Sequence, residues 1–155
     1  SSFLLVGQPL SGKTTLLRDL CRLYAGERSF EPKKIVIVDE RDEIASKSFG
    51  GGVNVGVHTD VLSLYPKQVG IDIALRTLSP DIIVLDEIGL EDEVEAMLAG
   101  MNSGVSFIAT AHGSSFSEVL ARPNIKRLVD SKVFKKAVVL KGKSAPCEIR
   151  EVIEL

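Results

Sequence analysis

Short apolar runs and amphipathic stretches alternate along this chain. Apolar runs at residues 3–6, 35–38, 82–85 and 105–111 predict buried strands. Leucines at helical spacing predict a helix over residues 13–24, and similar reasoning predicts helices over residues 68–78 and 91–101. Ser115 and Glu118 have capping-box spacing, and Pro123 suits the first turn of a further short helix. This alternation predicts an α/β fold with a mainly parallel sheet flanked by helices.

Two stretches depart from the alternation. Residues 45–64 are weakly patterned and contain three consecutive glycines, Gly50, Gly51 and Gly52, so we expect a long loop, which is typically functional or mobile. Residues 134–140 and 148–153 flank a turn containing Gly, Ser and Pro. They predict an antiparallel strand pair at the end of the chain.

Composition limits the alternatives. The chain has 155 residues, which fits a single domain spanning residues 1–155, and its net charge of −2 offers no broad basic surface for nucleic acid. No apolar run approaches the roughly 20 residues of a membrane span. Cys21 and Cys147 lack metal-type spacing, so we expect buried free thiols in a reducing cytoplasm. Because Ser1 is not Met and a strand follows at once, we also expect that an N-terminal domain precedes this chain.

The segment after the first predicted strand has the spacing G-x-x-x-x-G-K-[ST]. Backbone N–H groups of such a loop cradle phosphate oxygens, the following helix N-terminus favours an anion, and the Lys reaches the β- and γ-phosphates. The hydroxyl of Thr14 is a predicted Mg²⁺ ligand. The alternative, a glycine-rich turn with an unrelated lysine, does not explain the strand–loop–helix context. The predicted nucleotide-binding residues are Gly7, Gln8, Pro9, Leu10, Ser11, Gly12, Lys13, Thr14 and Thr15.

Asp86 and Glu87 directly follow the predicted strand at residues 82–85. In P-loop enzymes an acid at this position holds the Mg²⁺ shell, which we assign to Asp86. Glu87 points to the other side of the strand end, where it can polarise a water for hydrolysis. The alternative is a pair of solvated acids. No guanine-reading Asn-Lys-x-Asp motif occurs, so we expect ATP rather than GTP.

Further candidates come from the ends of the neighbouring strands, which converge on one crevice in such sheets. The run Asp39-Glu40-Arg41-Asp42-Glu43 faces either the γ-phosphate and metal or only solvent. His112 either senses the γ-phosphate or has a structural role, which is commoner for a lone histidine. Arg76 lies on a helix, where arginines are usually at the surface.

Several of these segments together resemble the stage III sporulation protein AA family. The matching segments are residues 35–45, 59–62, 79–81, 86–89 and 109–113. That family is similar to the type II and type IV secretion ATPases, whose RecA-like core carries an acidic box and a histidine box. The resemblance implies an acidic box at Asp39, Glu40 and Glu43 and a histidine box at Thr110 and His112. It makes Glu40 and His112 catalytic candidates alongside Glu87 and Lys13. It leaves two roles open, phosphate-sensing or structural, for Asp39, Arg41, Arg76 and Thr110.

The resemblance further implies an ATPase that uses Mg²⁺ and powers a channel between mother cell and forespore during endospore formation. Related motors form rings, usually hexamers, with ATP sites between subunits. Expected partners are other stage III sporulation membrane proteins, through which the protein would lie peripherally at the cytoplasmic face of the mother-cell membrane; no nucleic acid is expected. The open alternatives are a monomeric nucleoside triphosphatase or nucleotide kinase and a nucleic-acid-associated ATPase.

Overall fold

The computed structural model describes residues 2–26, 31–46 and 52–155. The strands are β1 Phe3–Gly7, β2 Ile35–Asp39, β3 Thr59–Ser63, β4 Ile82–Leu85, β5 Ser106–His112, β6 Lys136–Leu140 and β7 Ile149–Glu154. The helices are α1 Lys13–Ala25, α2 Lys67–Ile73, α3 Glu91–Asn102, α4 Phe116–Leu120 and α5 Pro123–Asp130. A π-helical segment, Ala74–Leu78, continues α2. All the helices and strands predicted from the pattern are therefore present, and their ends lie within two residues of the predicted ends.

The strands form one sheet in the order β3-β2-β4-β5-β1-β6-β7. Neighbouring strands run parallel except β6 and β7, which pair antiparallel with an irregularity at Val139/Leu140. The predicted α/β architecture with a C-terminal antiparallel pair is confirmed. Because the central strands are parallel, β1, β2, β4 and β5 all end at the same edge of the sheet.

Alternate strand residues pack into cores on the two faces of the sheet. On one face, Ile37, Val84 and Ile108 pack with Leu17 and Cys21 of α1. The other face is covered by α2, α3 and α5, and its core includes Leu4, Val38, Ile71, Leu85, Met97, Phe107, Ile125 and Phe134. These central strands are apolar throughout because both of their faces are covered.

The strand β3 is the element that the sequence pattern missed. It pairs in parallel with β2, from Ile35↔Thr59 to Asp39↔Ser63, within the stretch that we expected to be a loop. All five of its residues are only partly buried, because it is an edge strand. A short, half-polar edge strand gives neither an apolar run nor a clear alternation. Residues 47–51 lie outside the described residues, so the role of the three-glycine segment stays a prediction.

The environment of Cys147 also differs from the expectation. Cys21 is fully buried, as predicted, and its burial raises the pKa of the thiol to about 12. Cys147 is only half-buried and lies in the turn before β7, with φ 64°. Its backbone N–H donates to the carbonyl oxygen of Ser11 at 2.8 Å. The turn therefore packs against the loop after β1, a long-range contact that no local pattern predicts.

Candidate functional site

The loop at residues 7–14, called the phosphate loop below, joins β1 to α1. Gly12 has φ 93° and precedes the first residue of α1, and a Cβ on it would lie 2.5 Å from the Cys147 sulfur. A Cβ on Gly7 would lie 2.3 Å from the Ser11 hydroxyl. Glycine is thus required at both positions, at one by conformation and space and at the other by space alone.

Lys13 is folded back over this loop. Its ammonium donates to the carbonyl oxygens of Gly7 at 2.8 Å and Gln8 at 2.9 Å. Burial lowers the pKa of Lys13, and the negative charges of Asp86 and Glu87 partly oppose that shift. A phosphate group would supply further negative charge and favour the ammonium form. The lysine is thus held beside the loop in a position suited to an anion.

One observation tests directly whether the loop fits a nucleotide. The hydroxyl of Ser11 is fully buried and, among the described residues, has no hydrogen-bond partner. Buried hydroxyls in native proteins are generally satisfied, so such an orphan calls for an explanation. A polar ligand in the loop provides one. The loop and the acid pair also suit Mg²⁺, because Thr14 and Asp86 supply the oxygen ligands that this ion prefers. Its other ligands are commonly waters and phosphate oxygens.

A cavity of about 270 Å³ brings the two predicted halves of the site together. It is lined by Pro9, Leu10, Gly12, Lys13, Thr14, Thr15, Glu43, Asp86 and Glu87. The phosphate loop and the acid pair after β4 thus face one space, although more than seventy residues separate them along the chain. Glu43 is the member of the predicted acidic box that reaches this cavity. The described residues include no ready-made cluster of three or more metal-ligating side chains.

Thr110 fixes the acid pair. Its hydroxyl donates to the carboxylate of Asp86 at 2.5 Å and accepts from the backbone N–H of Glu87 at 2.8 Å. Its carbonyl oxygen accepts from the N–H of Ile88 at 2.9 Å. Three consecutive residues after β4 are therefore held by one residue of β5. These hydrogen bonds favour the structural role for Thr110 over phosphate sensing.

Glu87 itself has an unusual backbone and a specific partner. Its φ of 46° lies in the left-handed region, which a non-glycine residue adopts at a cost of about 1–3 kcal/mol. Its carboxylate accepts from the guanidinium of Arg41 at 2.5 Å. That hydrogen bond is the main cause that raises the pKa of Arg41. Arg41 is thus placed beside the predicted general base.

Asp39 organises the segment that contains Arg41. Its carboxylate is buried and accepts from the backbone N–H groups of Glu43, Ile44 and Ala45, at 2.9–3.1 Å. Arg18 of α1 holds the same segment from outside, donating to the carbonyl oxygens of Glu43 and Ile44, both at 2.6 Å. These contacts favour the structural role for Asp39 over phosphate sensing.

Glu40, whose side chain is 38% exposed, belongs to an ion network that the sequence analysis did not anticipate. Its carboxylate pairs with the ammonium of Lys67 at 2.9 Å, and Lys67 also pairs with Glu93 at 3.0 Å. Both Lys67 and Glu93 are almost fully buried. Lys67 follows Pro66 at the start of α2, where the helix dipole disfavours a cation, and that misplaced charge is the only signal in the sequence.

His112 and Arg76 lie outside the cavity. His112 is exposed at the end of β5 beside Gly7, and its carbonyl oxygen accepts from the guanidinium of Arg122. Arg76 pairs with Asp72 at 2.9 Å and is largely exposed. Arg76 lies near the start of β4, where the N–H of Asp81 donates to the carbonyl oxygen of Lys34. Arg76 is therefore at the edge of the sheet opposite to the cavity. The structure does not bring Arg76 into this site within one chain.

Comparison with solved structures identifies the class of fold. The Legionella pneumophila ATPase DotB matches with a TM-score of 0.66 at 20% identity, over 88% of this chain and 39% of that one. The VirB11 ATPase from the Brucella suis type IV secretion system, solved with sulphate, matches with a TM-score of 0.67 at 15% identity, over 99% of this chain and 49% of that one. The chain has the RecA-like fold of the secretion ATPases.

Comparison of sequences identifies the family. The model of the family "Sporulation stage III, protein AA" matches residues 1–154, so the chain belongs to that family. Stage III sporulation protein AA of Bacillus subtilis is 39% identical over 153 residues, which are 97% of this chain and 50% of that protein. Protein SEEDLING PLASTID DEVELOPMENT 1 of Arabidopsis thaliana is 32% identical over 130 residues, 83% of this chain and 19% of that protein. The chain spans about half the length of the Bacillus relative. No helix among the described residues is long and apolar enough to cross a membrane.

Proposed function

We propose that this chain is the catalytic core of an ATPase that hydrolyses ATP with Mg²⁺. One observation carries the proposal: the phosphate loop and the Asp86–Glu87 pair line the same cavity. In this proposal the phosphate loop binds the phosphates and Lys13 neutralises their charge. Thr14 and Asp86 would hold Mg²⁺, which screens phosphate charge and orients the nucleotide.

Glu87 is the proposed general base. It lines the cavity beside Asp86, and Thr110 and the left-handed backbone fix its position. A carboxylate there can orient and polarise a water for attack on the γ-phosphate. Arg41, which is paired with Glu87, is the proposed phosphate-sensing residue, since a guanidinium binds carboxylate and phosphate oxygens well. Glu40 and His112 are kept as further catalytic candidates, one next to Asp39 and the other next to the end of β1.

We also propose the wider role that the family suggests. The protein would work as a secretion-type motor for a channel between mother cell and forespore, assembled with other stage III sporulation membrane proteins. It would act as a ring, with a hexamer as the expected form, at the cytoplasmic face of the mother-cell membrane. The RecA-like fold shared with the secretion ATPases supports this role. Nucleic acid remains an unexpected partner given the net charge of −2.

The decisive experiment for the chemistry is Glu87→Gln in the full-length protein. We expect ATP binding within about twofold of the parent protein and Mg²⁺-dependent hydrolysis lowered at least about a hundredfold, since general bases contribute 10²–10⁴ in rate. Nucleotide titration and phosphate release measure the two quantities. The matched control is Glu91→Gln, an exposed glutamate at the start of α3. Hydrolysis at the parent rate by Glu87→Gln would show that the assigned base is wrong.

Light scattering of the full-length protein with an ATP analogue tests the motor separately. A ring supports the secretion-type role. A strictly monomeric species with fast turnover would favour a soluble nucleoside triphosphatase, and would leave the hydrolytic assignment standing.

A further inference from the structure

Lys67 occupies a position that is difficult to explain by stability alone. Its side chain is only 7% exposed, and it pairs with the carboxylate of Glu93, which is 2% exposed. Bringing both charges out of water costs several kcal/mol per ion, and an apolar pair of similar volume is often as stable. The dipole of α2 also opposes a cation at this end. Burial tends to lower the pKa of Lys67, but the hydrogen bonds to Glu40 and Glu93 outweigh it and raise that pKa overall.

The contacts of Lys67 connect both acidic segments of the site. One N–H of the ammonium reaches Glu40, which immediately follows β2. A second reaches Glu93, whose other carboxylate oxygen accepts from the backbone N–H groups of Gly89 at 2.7 Å and Leu90 at 3.0 Å. Gly89 is only two residues beyond Glu87. A single buried ammonium therefore ties the segment after β2 to the segment after β4.

Lys67 also borders the site. A small cavity of about 10 Å³ is lined by Asp39, Glu40, Arg41, Lys67 and Asp86. That volume is close to the space that one water molecule needs. Lys67, Glu40 and the proposed Mg²⁺ ligand Asp86 thus border the same small cavity.

We propose that Lys67 is a positioning residue for hydrolysis, which holds Glu40 towards the Asp86 side of the site through the Glu40–Lys67–Glu93 network. This inference rests on the proposed ATPase function. Lys67 is not among the residues that line the larger cavity, and its ammonium donates to Glu40 and Glu93, so its effect should fall on turnover and not on nucleotide binding. A displacement of even about 1 Å in a catalytic group can cost 10²-fold in rate.

The test is a mutant cycle in the full-length protein, read as kcat and KM for ATP. We expect Lys67→Met to lower kcat at least about tenfold while KM changes less than about threefold. In a Glu40→Gln background the same substitution should lower kcat by less than about twofold, because residues that act through one another are non-additive. Lys126→Met is the control, since Lys126 forms an exposed ion pair with Asp130 on α5.

A second variant separates positioning from folding. Lys67→Met alone leaves Glu93 as an unpaired buried charge, which destabilises the fold. The double variant Lys67→Met with Glu93→Gln removes both charges and keeps a capping-box residue at the start of α3. We expect it to recover the thermal midpoint of the parent protein and to keep the low kcat.

Four results would overturn the inference. Recovery of parent kcat by the double variant would show that the network serves only stability. An equal loss in the parent and Glu40→Gln backgrounds would show that Lys67 does not act through Glu40. If the parent protein itself fails to hydrolyse ATP, the proposed function fails and this inference with it. If instead the parent protein is active and substitution of Lys67 does not change kcat, only this inference fails and the proposed function stands.

Discussion

The phosphate loop and the acidic side of the site are held by different kinds of contact. In the phosphate loop, Lys13 donates to carbonyl oxygens only five and six residues away, and the N–H of Cys147 adds a long-range hydrogen bond to Ser11. On the acidic side, the contacts Thr110–Asp86, Lys67–Glu40 and Arg41–Glu87 join residues 24, 27 and 46 positions apart. The lysine of the phosphate loop is therefore positioned by local contacts, whereas these three contacts of the acidic side form only when the sheet is assembled.

This difference predicts separate effects of substitutions in the two regions. Substitutions in the phosphate loop should remove ATP binding and leave the fold intact. Substitutions on the acidic side should affect ATP turnover or stability and leave ATP binding largely intact.

The largest effect is expected from Lys13→Ala. It removes the ammonium that we propose neutralises the phosphates, and we expect affinity for ATP to fall at least about a hundredfold, or ~2.7 kcal/mol. Nucleotide titration measures the affinity, with Arg22→Ala as control because Arg22 is exposed on the same helix and forms an ion pair with Asp19. Parent affinity in Lys13→Ala would show that residues 7–14 do not bind phosphate. The free energy of unfolding should stay within ~1 kcal/mol of the parent value.

A smaller effect, on stability and not on ATP binding, is expected from Asp39→Ala. The substitution leaves the backbone N–H groups of residues 43–45 without their acceptor, and we expect the free energy of unfolding to fall by about 2 kcal/mol. Urea denaturation checks this value. Asp60→Ala is the matched control, because Asp60 forms a half-exposed pair with Lys34 that should contribute less than ~1 kcal/mol. A stable Asp39→Ala protein that no longer hydrolyses ATP would instead assign Asp39 to the chemistry.

The smallest effect is expected from Arg76→Ala. Arg76 lies at the far edge of the sheet in an exposed pair, so the free energy of unfolding should change by less than ~0.5 kcal/mol. Hydrolysis by the full-length protein should match that of Asp72→Ala, which breaks the same pair from the other side. A tenfold loss of hydrolysis confined to Arg76→Ala would show that this residue acts on the site of a neighbouring subunit.

The sequence alone predicted the parts of the fold that local physics dictates. Continuous apolar runs marked β1, β2, β4 and β5 because each is buried on both faces. The edge strand β3 was not predicted, because its half-buried residues form no continuous apolar run. Cys147 was expected to be a buried thiol, yet it is half-buried and lies in a turn, where its N–H donates to the carbonyl oxygen of Ser11.

For the site, the sequence by itself determined the phosphate loop and the order of acids at the strand ends. The spacing of glycines, lysine and threonine is a local requirement for cradling phosphate, and it can be read without any distant partner. Only the tertiary structure showed which partner each acid has. Asp39 accepts from the nearby backbone N–H groups of residues 43–45. Glu40 pairs with Lys67 and Glu87 with Arg41, because the fold brings residues distant in sequence together at one edge of the sheet.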